Sequence, residues 1–121
     1  MKTLNFTCEN RDFLISIGRN ALENWKLIDS SNKDDLWFHV EGHPSGHVVA
    51  KEITTDAKKD SNKTKSFNFP YVLILECARH CKNQSKFKNE RCKIIYTTIN
   101  NITKGKEIGS VFTKNEKYVT V

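Results

Sequence analysis

The chain has 121 residues, a length that fits one domain. Its 20 lysines and arginines exceed its 14 aspartates and glutamates, which gives a net charge of +6. The excess is in the second half: residues 1–50 carry five basic and seven acidic side chains (net −2), and residues 51–121 carry fifteen and seven (net +8). A composition with 37% hydrophobic residues excludes a disordered tail. The uneven charge indicates either a polyanionic partner or a solvated, lysine-rich surface.

Apolar segments are short throughout the chain. The longest run, at residues 71–75, is far too short to cross a membrane, and the first residues contain no continuous apolar stretch. We therefore expect no membrane segment and no signal peptide, and hence a cytoplasmic location. In that reducing compartment the four cysteines are expected to be thiols.

The first half predicts a strand, a helix and a pair of strands. Residues 13–17 are β-branched and apolar, which predicts a strand, and a helix follows over residues 20–28 with Asn20 as its cap. The apolar residues of this helix recur at helical spacing and predict its buried face: Ala21, Leu22, Trp25 and Ile28. Residues 36–40 and 47–50 predict two strands joined by a turn that contains glycine and proline.

The second half begins with residues 51–68, which are rich in lysine, lack a clear period and predict a mobile basic loop. A helix is predicted to begin near Pro70. Its buried stripe is expected to comprise Tyr71, Ile74, Leu75, Ala78 and Cys81. Residues 92–98, 111–113 and 118–121 predict strands. The whole chain (1–121) thus predicts a single α+β domain with a mostly antiparallel sheet and one or two packed helices.

Three histidines could suggest a metal site or a catalytic group. His39, His43 and His47 recur every four residues, which on a helix would place metal ligands on one face. A proline and a glycine within this segment oppose a helix, and no Cys-x-x-Cys pair is present, so we expect no metal and no cofactor. Asp35 and His39 could form an orienting carboxylate–imidazole pair. We expect His39 and His47 to serve binding or structure rather than catalysis.

The basic residues after position 81 alternate with Phe87 and Tyr96. Lysine binds phosphate without reading sequence, and exposed aromatic rings stack on unpaired bases, although both rings could equally belong to the core. No helix-turn-helix or zinc-finger pattern is present, which favours single-stranded or folded RNA over duplex that is read by sequence. Arg19, at the start of the first helix, also suits a phosphate.

Several short motifs resemble the NFACT-R domain family. Residues 18–21, Gly-Arg-Asn-Ala, are followed by Glu-Asn at 23–24, and residues 35–40 read Asp-Leu-Trp-Phe-His-Val. Residues 44–49, Pro-Ser-Gly-His-Val-Val, are similar to the family's Pro-Gly-Ser-His-Val-Val with glycine and serine exchanged. Further similar segments follow in the family's order: 78–85, 92–97, 109–111 and 118–120.

This resemblance implies an RNA-binding module without catalytic activity of its own. In the family the module occurs in ribosome quality-control factors that hold tRNA on stalled large subunits. The implied partners are therefore tRNA or ribosomal RNA and the large ribosomal subunit, with neither a membrane nor a small-molecule substrate. The chain is most similar to the short standalone eukaryotic members, without the coiled-coil tail into which those members continue.

We therefore expect an RNA-binding surface in two parts. The first part is a set of polar and aromatic residues around the Asp-Trp-His motif: Arg19, Asn20, Asp35, Trp37, His39, Ser45 and His47. The second part supplies phosphate contacts: Lys82, Lys86, Arg91 and Lys93. Two alternatives remain open. One is an enzyme of RNA modification or hydrolysis that uses Asp35, His39 and His47, and the other is a ribosome-associated adaptor that uses the loop 51–68.

Overall fold

The computed structural model describes residues 1–53 and 69–121. Its strands are β1 (Lys2–Cys8), β2 (Arg11–Ile17), β3 (Leu36–Val40), β4 (Val48–Ile53), β5 (Lys93–Thr98), β6 (Ile102–Lys104), β7 (Val111–Thr113) and β8 (Lys117–Thr120). Its helices are α1 (Ala21–Ser30) and α2 (Tyr71–Asn83), and Ile99–Asn101 form a 3₁₀ turn.

The main sheet has six strands in the order β1-β2-β4-β3-β5-β8, and β6 pairs with β7 in a separate two-stranded sheet. The paired strands are antiparallel in both sheets. This architecture confirms the predicted α+β class with a mostly antiparallel sheet. Among the described residues, no helix is both long enough and apolar enough to span a membrane.

Both faces of the main sheet are covered, because successive side chains of a strand point to opposite sides. Phe38 of β3 lies on the face that packs against α2, in a cluster that includes Phe13 and Cys77. Trp37, its neighbour in the chain, lies on the other face and packs with Leu27 of α1. The sheet is therefore the middle of three layers, and Trp37 and His39 share the face that α1 covers.

Helix α1 begins at the predicted cap but buries a different face. The Asn20 side chain accepts a hydrogen bond from the Glu23 backbone N–H at 2.9 Å, as an N-cap residue does. Leu22 is 54% exposed, whereas Leu27 is 2% exposed and Asn24 is buried. The predicted buried face was wrong at Ala21 and Leu22, which are exposed, because the prediction left out Asn24 and Leu27, the residues that lie against the sheet.

Helix α2 follows Pro70, as predicted, and packs on the sheet through a stripe rotated from the expected one. Tyr71 was expected in the stripe but is 62% exposed, because the helix turns the face that carries Leu73 and Cys77 toward the sheet. The buried residues of α2 are Leu73, Ile74, Cys77, Ala78 and Cys81. The structure therefore corrects the prediction at Tyr71, and Leu73 provides the buried contact of the first turn.

Two elements differ from the predicted ones near the edge of the sheet. Strand β1 was not predicted, although Leu4, Phe6 and Cys8 alternate toward the core. The first three residues of the predicted loop, 51–53, instead continue β4, where they pair with β2. The rest of that predicted loop, residues 54–68, lies outside the described residues.

The rotated face of α1 gives a direct test of the packing. We expect Leu27→Ala to lower the free energy of unfolding by about 2–5 kcal/mol, because it removes a buried side chain and leaves a cavity. Leu22→Ala removes the same atoms from an exposed position of the same helix and should change it by less than about 0.5 kcal/mol. Denaturant unfolding of the two variants measures the difference. Equal losses would contradict the observed orientation of α1.

Candidate nucleic-acid interface

The segments that contain Gly18 and Gly46 pass very close to each other and to Asn24 of α1. A Cβ at Gly46 would lie 2.1 Å from the Gly18 carbonyl oxygen, and a Cβ at Gly18 would lie 2.2 Å from Oδ1 of Asn24. The Gly18 N–H also donates to the His47 carbonyl at 2.9 Å. A residue with a Cβ would not fit at position 46. The order Ser45-Gly46, the reverse of the family's Gly-Ser, therefore fits this loop.

Asn24 connects α1 to the start of β4. Its Oδ1 accepts the backbone N–H of His47 at 2.9 Å, and both residues are buried. A buried N–H without an acceptor costs about 1–3 kcal/mol, so this bond fixes the position of the His47 backbone. Asn24 therefore determines where the histidine lies relative to the helix.

The rings of Trp37, His39 and His47 form one cluster on the α1 face of the sheet. Trp37 stacks on His39 with ring centroids 5.8 Å apart, and His47 meets both rings edge to face at 5.2 Å. Nε1 of Trp37 and Nδ1 of His47 are enclosed and have no hydrogen-bond partner within the described part of the chain. Ring packing, rather than a network of hydrogen bonds, holds the cluster together.

The two histidines of this cluster are neutral near pH 7. Burial, together with the neighbouring His39 imidazole, lowers the pKa of His47 to about 3. Burial also lowers the pKa of His39. Each imidazole can therefore donate and accept hydrogen bonds, but neither supplies positive charge to a ligand.

Two cavities lie on either side of this ring cluster. The first cavity, of about 410 Å³, is lined in part by Arg19, Asn20 and Ser45. The second cavity, of about 320 Å³, is lined in part by Trp37. His39 and His47 line both cavities and thus form the wall between them. Five of the seven residues predicted around the Asp-Trp-His motif therefore meet at the first cavity, and Trp37 supports the wall from behind.

Arg19 stands at the mouth of the first cavity and is held by Glu23. Its guanidinium pairs with Glu23 at 3.2 Å, and its backbone N–H donates to the same carboxylate at 3.0 Å. These bonds and the amino group of Met1 lower the pKa of Glu23 to about 2. The side chain of Arg19 remains 60% exposed, so the guanidinium is oriented by Glu23 and still accessible to a ligand.

Ser45 anchors the loop between β3 and β4. Its Oγ accepts the backbone N–H of Val40 at 3.2 Å and lies 3.6 Å from Sγ of Cys81 on α2. The hydroxyl thus connects the cavity wall to the helix on the other side of the sheet. Its position predicts that Ser45 shapes the first cavity more than it contacts a ligand.

Asp35 lies outside both cavities. Its carboxylate accepts the Asn32 N–H at 2.8 Å and lies 4.0 Å from Nζ of Lys51. Asp35 precedes His39 by four strand positions, about 13 Å, with the ring of Trp37 between them. Asp35 therefore orients no imidazole in this cluster. Within residues 1–53 and 69–121, no group of three or more His, Cys, Asp or Glu side chains is arranged to hold a metal.

The predicted phosphate contacts are divided among three places. Lys82 and Arg91 line a third concavity of about 440 Å³ beside the C-terminal half of α2, together with Arg79 and Lys88. We call this concavity the basic cleft. Lys86 lies outside the three concavities, with its ammonium 5.4 Å from the Phe87 ring. Lys93 lies near Glu41 at 3.8 Å and over the Tyr118 ring.

Asn24, Gln84, Arg79 and Lys88 were not among the predicted site residues, although each lines a concavity. A signal for Asn24 was available, because it shares a helix face with Leu27 and Ile28 and is itself part of the family-like Glu-Asn pair at 23–24. For Arg79 and Lys88, the only signal in the sequence was their positive charge. Nothing in the sequence separates these two cations from the other lysines of the basic half.

The fold and these concave surfaces define a small α+β domain with neutral hydrogen-bonding groups in one cavity and cations around another, which is an arrangement suited to RNA. Residues 2–116 match the family model described as the NFACT protein RNA-binding domain. The chain belongs to this RNA-binding domain family. The match confirms the family that the short motifs predicted.

Curated relatives support the same family. The chain is 30% identical to protein JLP2 of Saccharomyces cerevisiae over 98 residues, which are 78% of this chain and 44% of that protein. It is 28% identical to coiled-coil domain-containing protein 25 of Danio rerio over 114 residues, covering 88% of this chain and 50% of that protein. A Dictyostelium discoideum homologue of that protein is 29% identical, covering 96% and 54%. The chain thus spans about half the length of the curated relatives it matches.

One solved structure has a similar fold. It is the C-terminal part of the fibronectin/fibrinogen-binding protein from Streptococcus suis, with a TM-score of 0.77 and 20% sequence identity. The alignment covers 100% of this chain and 46% of that chain. At this identity the likeness concerns the fold alone, and it supports the α+β architecture independently of the sequence motifs.

The lowered pKa of His47 predicts how stability depends on pH. Between pH 6.5 and about 3 the unfolded chain binds a proton at this residue that the folded chain does not, so acid favours unfolding. The free energy of unfolding should fall as pH drops from 7 to 4, with His47 contributing up to about 1.4 kcal/mol per pH unit. His47→Gln should flatten this dependence in urea titrations, while His43→Gln, at an exposed position, should not. Parallel curves for wild type and His47→Gln would refute the assignment.

Proposed function

We propose that this chain is a non-catalytic, ribosome-associated RNA-binding protein of the cytoplasm that binds tRNA through the first cavity. The observation that carries the proposal is the convergence of Arg19, His39, Ser45 and His47 at one cavity. These residues come from three separate segments of the sequence, each of which resembles an NFACT-R motif. Family membership supports RNA as the ligand, and the convergence of these residues supports the first cavity as the proposed binding surface.

The first cavity is suited to an unpaired nucleotide. Its volume of about 410 Å³ is within the range of small-ligand sites, roughly 300–1,000 Å³. Arg19 at the mouth can contact a phosphate with its accessible guanidinium, and the neutral imidazole of His39 can bond to a base edge. His47 is 2% exposed and acts mainly by positioning His39, which it contacts edge to face.

Several observations favour binding over catalysis. The pKa of His47, about 3, is far below the range in which an imidazole acts as a base near pH 7. Burial raises the pKa of Cys81 to about 12, which opposes a thiolate nucleophile beside the cavity. Asp35 is separated from His39 by Trp37, so the pair considered for an enzyme is not formed. The adaptor hypothesis concerns the loop 51–68, of which only residues 51–53 are described.

Arg19→Gln tests the proposal at the mouth of the cavity. Loss of a charge-assisted contact, about 1.5–3 kcal/mol, should weaken binding of unfractionated tRNA by at least tenfold. Lys26→Gln removes one exposed positive charge from the outer side of α1 and should leave the affinity within about twofold. Fluorescence anisotropy at fixed salt compares the two variants, and thermal unfolding should show both to be as stable as wild type.

A salt titration of the same complex provides the second criterion. Binding that depends on phosphates must weaken steeply as salt rises from about 50 to 200 mM. Wild-type affinity that stays constant over this range, or an Arg19→Gln variant that binds tRNA as well as Lys26→Gln does, would contradict the proposal.

A further inference from the structure

The basic cleft concentrates positive charge around one concavity beside the C-terminal half of α2. Four cations line it: Arg79, Lys82, Lys88 and Arg91. Asn83 and Thr120 contribute polar side chains, and no aspartate or glutamate is among the described residues that line it. The charged side chains that line the cleft are therefore all positive.

Several basic residues outside the cleft are paired with carboxylates in the described parts of the chain. Arg19 pairs with Glu23, Lys93 with Glu41 and Lys104 with Asp29. Within residues 1–53 and 69–121, none of the cleft cations has a carboxylate partner. Like charges around one concavity repel each other, and a bound polyanion would remove that repulsion.

Helix capping explains only one of the four charges. Cations in the last turn of a helix interact favourably with its C-terminal carbonyls, and Lys82 occupies such a position. Arg79 lies one turn earlier, on an exposed face, while Lys88 and Arg91 follow the helix in the segment that leads to β5. Three charges of the cleft therefore remain without a role in the stability of the helix.

The basic cleft and the first cavity adjoin each other across the last turn of α2. Asn83 lines the cleft, and Gln84, the next residue, lines the first cavity. Lys86 is exposed on the segment that follows, and the ring of Phe87 packs against His43 at 4.7 Å, beside the loop that forms the cavity wall. The exposed Lys86 therefore places a positive charge on the segment that joins the linings of the first cavity and the cleft.

We infer that the RNA crosses the C-terminal end of α2, with an unpaired nucleotide in the first cavity and the adjoining phosphates in the basic cleft. The inference rests on the proposed function and adds to it a second contact surface, in which Arg79 and Lys88 bind phosphate. Cations on one groove that tracks a backbone are a general means of binding single strands. Such contacts position the RNA but do not read its sequence.

Charge-matched double variants test the path. Arg79→Gln with Lys88→Gln removes two cleft charges, and Lys26→Gln with Lys114→Gln removes two exposed charges away from all three concavities. For unfractionated tRNA, the cleft variant should lower the slope of log K against log salt by about 1.4–1.8, since each phosphate contact contributes about 0.7–0.9. Its affinity near physiological salt should fall roughly tenfold. The control variant should retain the wild-type slope.

The possible outcomes separate this inference from the proposed function. Wild-type protein that does not bind tRNA overturns both. Binding that depends on Arg19 but is equally sensitive to both double variants shows only a general electrostatic field and overturns the path through the cleft. Two tRNA sites per chain, with Arg19→Gln affecting just one, would overturn a continuous path. If polyglutamate of matched charge, rather than tRNA, is the ligand that the cleft variant loses, the occupant is an acidic protein and RNA is refuted.

Discussion

The close approach of Gly18, Asn24 and Gly46 is the constraint on which the site depends. The Gly18 carbonyl leaves no room for a Cβ at Gly46, and the Asn24 side chain, which accepts the His47 N–H, occupies the space that a Cβ at Gly18 would need. This contact fixes α1 relative to β4 and places Arg19 and His47 at the same cavity. A side chain at Gly46 would separate the segments, and the cavity would lose the geometry that its polar groups share.

The same constraint determines the electrostatics of the interface. Holding His47 against Trp37 and His39 buries the imidazoles, and burial favours their neutral forms. Positive charge is consequently absent from the interior of the ring cluster and present at its margins, on Arg19 and around the basic cleft. In the proposed RNA complex, the neutral groups would distinguish one base edge from another and the charged groups would hold the phosphates, so that selection and affinity would depend on different parts of the surface.

The features of the fold that depend on local sequence patterns could be predicted from the sequence. The α+β class, the cap at Asn20, the start of α2 near Pro70 and the strand that contains Trp37 and His39 all follow from periodicity and turn residues. The buried face of α1 could not be predicted that way, because apolar counting cannot anticipate that a buried backbone N–H would require Asn24. The rotated stripe of α2 and the assembly of the cleft likewise depend on which segments pack together. This packing cannot be deduced from the types of individual residues.

The two halves of the chain, which differ in net charge, contribute to two concavities that adjoin at the last turn of α2. The half with a net charge of −2 contributes Arg19, His39 and His47 to the first cavity, and the half with +8 contributes the four cations of the cleft. The two halves meet where Asn83 and Gln84 follow each other in the chain. A charge excess spread evenly over the surface would attract RNA in any orientation. Four of these positive charges line one cleft beside the first cavity, so in the proposed complex they favour the orientation in which the backbone lies in the cleft and a base faces the histidines.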